Sequence, residues 1–186
     1  MKKTFGENRL VAWVVFAACV LFSLSFSGGR ALANLRGETE QIFYQGVYGD
    51  GLCIDRDLEE IARCTQRMAE LAQEYEGAGD GLAEAALQAS QQLSQAQSIA
   101  DKYSAYTACR DAASALYSSL SGLALSPADE SEAYQLHKEI LSRLNTISRD
   151  FYNDRAAQFN ETLSAFPADL VGGLSGVKPL ELFGED

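Results

Sequence analysis

Residues 126–167 read SPADESEAYQLHKEILSRLNTISRDFYNDRAAQFNETLSAFP, and this stretch decides the fold class. Ser126-Pro127-Ala128-Asp129 marks a helix start: a hydroxyl able to cap, a proline where no donor is lost, and an acid at the third helical position. No strong breaker intervenes before Pro167, which disfavours helical backbone at Phe166. The spacing therefore predicts one helix of about forty residues, a length at home in bundles and coiled coils. Its apolar seam reads Ile140, Leu144, Ile147, Phe151, then Tyr152, Ala156, Phe159, Leu163, Phe166, with a slip of one residue at Phe151-Tyr152. A single extra residue inside a helix is usually absorbed as a π-bulge, which is expected near Phe151.

Upstream, Ile54, Leu58, Ile61, Thr65, Met68, Ala72 and Tyr75 alternate by four and three, the pattern of one amphipathic helix. Gly77-Ala78-Gly79-Asp80-Gly81 closes it and turns the chain into an antiparallel neighbour. That neighbour carries Leu82, Ala86, Ala89, Leu93, Ala96, Ala100 and Tyr103, and its alanines allow close helix approach. The pattern continues through Ala112, Leu116 and Leu120, so residues 80–121 are expected to form one long helix or two in line. The fold class is thus all-α, an antiparallel bundle of long helices over residues 54–167, behind a juxtamembrane helix or loop at 34–53.

The N-terminus is of another kind. Leu10 to Phe26 runs LVAWVVFAACVLFSLSF without a charge, flanked by Lys2, Lys3 and Arg9. At about 1.5 Å per residue, seventeen residues reach roughly 26 Å, the short end of what a bilayer core of about 30 Å demands. The basic flank places the rest of the chain outside the cytoplasmic membrane. Residues 1–33 are read as a single-pass signal anchor or, since Ala31-Leu32-Ala33 fits a peptidase site, as a signal peptide cleaved after Ala33, which would release the protein. A lipobox-like Phe16-Ala17-Ala18-Cys19 is a weaker reading, because the apolar run continues past Cys19.

Beyond Ala33, eleven basic residues face twenty-five acidic ones, a net charge of −14. Such a domain is repelled by phosphates, which argues against nucleic acid as a partner. Cys53, Cys64 and Cys109 stand in no metal-ligand spacing. They read as buried free thiols, or, with Cys64 and Cys109 on neighbouring helices, as a possible disulfide. The one histidine, His137, reads as a solvated helix residue, and it lacks the glutamate three positions before it that di-iron bundles require. No phosphate loop or nucleophile elbow occurs. The acids at Asp55, Asp57, Glu59 and Glu60, and at Asp129, Glu130 and Glu132, sit in first turns, where they complement helix N-termini. No cofactor or metal is expected.

Arg143-Leu144, Arg149-Asp150, Tyr152-Asn153, Phe159-Asn160, Phe166-Pro167, Lys178-Pro179 and Phe183 together resemble the C-terminal pattern of the LemA family, with one gap at Phe151. The chain departs from that pattern at Ala62–Leu71, where a proline and an Asp-Leu pair are absent. The resemblance covers residues 143–183. It implies a membrane-associated helical protein of the bacterial envelope, acting in protein–protein interaction or scaffolding rather than catalysis, with an unknown envelope protein or a second copy as partner. The alternative class is an enzyme or metal-binding bundle of unrecognised chemistry.

Tyr152, Phe159 and Phe166 at heptad spacing read as core aromatics. Asn153 and Asn160, one step round the helix, read either as register-fixing hydrogen-bonding residues between helices or, with Phe183, as part of an interaction surface. The tail, residues 168–186, is apolar but interrupted by Gly172, Gly173, Gly176 and Pro179, which are expected to prevent a regular helix. It must fold back on the bundle or meet a membrane or partner.

Overall fold

The computed structural model describes residues 5–75, 77–78 and 81–184. Among these the chain forms seven α-helices and no strand: α1 (Phe5–Gln45), α2 (Ile54–Ala72), α3 (Leu82–Gln95), α4 (Ile99–Leu120), α5 (Pro127–Ile147), α6 (Tyr152–Ser164) and α7 (Ala168–Ser175). A 3-10 turn, Val47–Gly49, follows α1. The residues group into two compact units, one of Met1–Glu40 with Asp154–Leu180 and one of Gln41–Asn153 with Glu181–Asp186.

The second unit is a four-helix bundle. Helix α2 packs on α3, α4 and α5, and α3 and α5 each pack on α4. Directions follow from the side chains that meet. The beginning of α2 meets the end of α5 through Asp57 and Arg143 and its later turns meet the start of α5 through Arg67 and Glu132, so these helices run oppositely. Asp55 and Lys102 lie together at the starts of α2 and α4, and Thr65 and Cys109 come together further along, so α2 and α4 are parallel. The topology is up-down-up-down, the simplest route for helices joined by short loops.

Every residue of the α2 seam from Ile54 to Ala72 is buried. The Gly77–Gly81 turn falls partly on Gly79 and Asp80, outside the described residues; its flanking Gly77 and Gly81 have φ of 90° and 83°, which glycine adopts without a Cβ penalty. Ser126 caps α5 by accepting from the Asp129 amide at 3.2 Å, as its sequence predicts.

Three expectations about helix continuity are corrected. Where one helix or two in line were expected over 80–121, α3 and α4 are two helices packed on each other, because Ser98 caps a new start by accepting from the Asp101 amide at 3.0 Å. The forty-residue helix does not form: α5 stops at Ile147 and α6 starts at Tyr152, with no π-bulge. The extra residue is taken up by a full break. Asp150 Oδ1 accepts from the Tyr152 amide at 2.7 Å, which starts the next helix, and Phe151 is turned out to solvent at 66% exposure. Finally, Gly172 and Gly173 do not prevent α7, which Gly176 ends in the left-handed conformation.

In the first unit, α7 is held from two sides. A Cβ on Gly28 would lie 3.0 Å from Val171 Cγ1 and one on Gly29 only 1.9 Å from Ser175 Oγ, while a Cβ on Gly172 would lie 2.6 Å from Leu163 Cδ1. Arg36 donates to the Lys178 carbonyl at 3.1 Å and pairs with Glu40 at 2.8 Å. Phe159 and Leu163 are buried, but Phe166, expected in the core, is 81% exposed beside a cis Phe166-Pro167 bond.

No helix among the described residues is long and apolar enough to cross a membrane. The anchoring segment expected over Leu10–Phe26 includes Leu10, Leu21, Leu24 and Ser25, whose side chains lie outside that description.

Candidate functional site

The last turns of the chain are bound like a peptide. In the second unit, Asn153 donates through Nδ2 to the Phe183 carbonyl at 2.8 Å and accepts from the Phe183 amide at 2.8 Å. One side-chain amide thus pairs with both main-chain groups of one residue, as a neighbouring strand would. The Tyr152 hydroxyl donates to the Glu181 carbonyl at 2.6 Å. The Glu181 carboxylate accepts from the Ala100 amide at 3.0 Å, placing a negative charge on the N-terminus of α4, where orphan amides and the helix dipole favour it.

Phe183 itself is 6% exposed. Its ring stands edge-on to Tyr103 at 5.2 Å and tilted against Tyr106 at 5.4 Å and Phe43 at 5.6 Å. Phe43 in turn meets Tyr152 edge-on at 5.2 Å. These separations fall in the favoured range for aromatic pairs, so the ring is recognised by shape as well as by burial.

Asn160 repeats the device within the first unit, donating to the Leu180 carbonyl at 2.9 Å and accepting from the Leu180 amide at 2.7 Å. Of the residues read from the sequence as register-fixing or surface residues, Asn153 and Asn160 are bonded to the main chain of the tail and Phe183 is the buried tail residue itself. The asparagines hold an extended segment, where the sequence suggested a second helix. Tyr103 was read only as a seam residue, and Phe43, Tyr106 and Glu181 went unrecognised because spacing along the chain does not reveal a cage around a distant ring or an acid that caps a distant helix.

Several of the remaining chemistry-bearing residues have structural partners, while the buried Nδ1 of His137 has no hydrogen-bond partner among the described residues. Asp57, 6% exposed, pairs with Arg143 at 3.0 Å, and Asp55 pairs with Lys102 at 2.7 Å, so these first-turn acids also tie helices together. Asp129 is held below its ordinary value by hydrogen bonds from Tyr75 and Ser126. Asp150 is pushed up by burial, only partly offset by the bond from the Tyr152 amide.

Cys53, Cys64 and Cys109 are buried free thiols, so the Cys64–Cys109 pairing is not made. Burial, with Glu60 nearby, pushes Cys64 up to about 11, and burial also raises Cys109, which donates to Thr65 Oγ1 at 3.4 Å. His137 is not solvated: it is half-buried and stacked on Tyr117 at 3.9 Å and 3°, and burial lowers its pKa. Among the described residues no three His, Cys, Asp or Glu side chains are grouped to hold a metal ion.

The only large apolar side chains exposed on α5 are Tyr134 and Leu141, seven residues apart and so on one face. Tyr134 also borders a notch of about 330 Å³ whose lining is mixed, with Tyr117, Leu120 and Leu125 beside Ser121, Glu130 and Ser131. This face offers what the tail groove withholds, unoccupied apolar surface on the bundle.

The chain matches no protein-family model, and neither a curated protein nor a solved structure matches it. What the fold and site define is an all-helical protein whose bundle carries a built-in tail clamp.

Proposed function

We propose that the chain is a membrane-anchored, non-enzymatic helical bundle of the LemA kind that works by binding other proteins of the bacterial envelope. The observation that carries this reading is the state of α1. Val11, Trp13, Val14, Val15, Phe16, Val20, Phe22 and Phe26 are all exposed on it. A helix apolar on every face needs lipid or protein around it. With Leu10, Leu21, Leu24 and Ser25 counted from the sequence, the run holds seventeen residues without a charge. Insertion then relies on thinning of the bilayer or snorkelling of Lys2, Lys3 and Arg9.

On this reading the protein is single-pass, with residues after Gly28 outside the cytoplasmic membrane. Helix α1 runs unbroken through Ala31-Leu32-Ala33, which supports a retained anchor over cleavage after Ala33. The outward domain, acidic and free of a grouped metal-ligand set among its described residues, presents the Tyr134–Leu141 face to its partner.

Photo-crosslinking in cells from positions 134 and 141, read by mass spectrometry of the membrane fraction, tests the proposal. Discrete adducts to a foreign envelope protein are the expected result, and adducts only to a second copy would mark a self-assembling scaffold. Recovery of the protein in the soluble fraction without protein adducts would overturn it.

A further inference from the structure

The first unit presents a second apolar surface, and its position says what covers it. Helix α7 turns Val171 and Ser175 toward Gly28 and Gly29 of α1. Leu170 and Leu174, four residues apart, are left 58% and 76% exposed, and Phe166, four residues earlier, is 81% exposed. Leu174 shares an open groove of about 840 Å³ with Phe22, Phe26, Arg30 and Ala33 of α1. The exposed face of α7 is thus continuous with the exposed apolar face of α1.

Depth follows from helix geometry. The apolar run ends at Phe26, and α7 is seated two and three residues further on; at about 1.5 Å per residue this is about 3 to 5 Å beyond the run. That is the level at which hydrocarbon gives way to headgroups. Arg30, at the rim of the groove, carries a long apolar stem and a guanidinium suited to a lipid phosphate. Glycine at both 28 and 29 lets α7 lie against α1 at this level, where a side chain at 29 would collide with Ser175.

We propose that α7, with Phe166, is an interfacial docking element whose occupant is the phospholipid bilayer: Phe166, Leu170 and Leu174 enter the headgroup–acyl boundary beside α1. The proposal rests on the anchoring reading of α1 above. Helices of this kind bind through an apolar face buried a short way into the interface. A second copy of the chain is the competing occupant.

The test uses the full chain reconstituted in phosphatidylcholine–phosphatidylglycerol bilayers with acyl chains brominated at defined carbons. Trp13 is the only tryptophan, so the unaltered protein reports on α1. A Trp13→Phe/Leu174→Trp variant reports on α7, and Trp13→Phe/Leu170→Trp repeats the measurement should the first variant fold poorly by circular dichroism. The expected result is loss of the larger part of the emission in both reporters, with position 174 quenched most by bromines nearest the headgroup. Quenching of Trp13 without quenching at 174 or 170 overturns the docking element and leaves the anchor standing. Blue-shifted but unquenched emission at 174 assigns the face to a second copy or other protein and overturns it as well. Absence of quenching at Trp13 and at 174 removes both readings.

Discussion

Replacing Asn153 with alanine isolates the tail clamp, because it deletes both hydrogen bonds to Phe183 and leaves the aromatic cage in place. Each neutral hydrogen bond is worth about 1 kcal/mol net, so seating of Phe183 should weaken by about 2 kcal/mol. At 1.36 kcal/mol per factor of ten, the population of the open tail rises roughly thirtyfold. Amide hydrogen exchange at Phe183 reads this population, with amides in the middle of α3 as the unchanged reference. An increase of less than about threefold would show that the cage alone seats the tail and refute the backbone-clamp argument. Asn153→Asp sharpens it. A carboxylate keeps the acceptor for the Phe183 amide but sets an anionic oxygen against the Phe183 carbonyl, 2.8 Å from the original donor. The aspartate is therefore destabilised when charged, its folded pKa is raised, and seating is retained at low pH and lost as pH rises through that value. Exchange at Phe183 in this variant should exceed that of alanine at pH 7 and fall below it under about pH 4, where the protonated acid can donate.

Arg143→Met leaves the buried Asp57 charge without its partner and should lower stability in urea by about 2 kcal/mol, while Asp57→Leu added to it should recover most of the loss. With Cys64 raised to about 11, its thiolate at pH 8 is on the order of a hundredfold scarcer than for a thiol at the ordinary value of 9.0, so it should label correspondingly slowly until the protein is denatured. His137 has a folded pKa below that of the unfolded chain, so the unfolded state binds the extra proton and stability falls as pH drops below about 6.5. His137→Phe should keep the stack on Tyr117 and flatten that part of the melting-temperature profile; an unchanged slope would show that other groups set it.

Helix α2 and the start of α5 were legible because their signals are local: a seven-residue seam that is wholly buried up to Ala72, and a serine cap with proline behind it. The break between α3 and α4 carried the same kind of signal, Ser98-Ile99-Ala100-Asp101, a serine three residues before an aspartate. It was hidden because the four-three spacing of Ala96, Ala100 and Tyr103 runs through it, and alanine marks a buried face poorly. At Phe151 the slip in the seam was visible, but whether a helix answers with a bulge or a break depends on Asp150 reaching the Tyr152 amide, which no periodicity encodes. The asparagines stood out by their heptad spacing. Their partners did not, since a side chain that binds main chain leaves no complementary residue type to find.

Phe183 closes over Phe43, a residue 140 positions earlier in the chain. Until residue 183 has been synthesised, the cleft between Phe43, Tyr103 and Tyr106 lacks the ring that fills it. A chain ending before Glu181 therefore displays an uncovered aromatic cleft and an uncapped amide at Ala100, while its four bundle helices are complete. The core of the bundle is therefore closed by residues that come after its last helix in the chain, and an open aromatic cleft marks any molecule that lacks them.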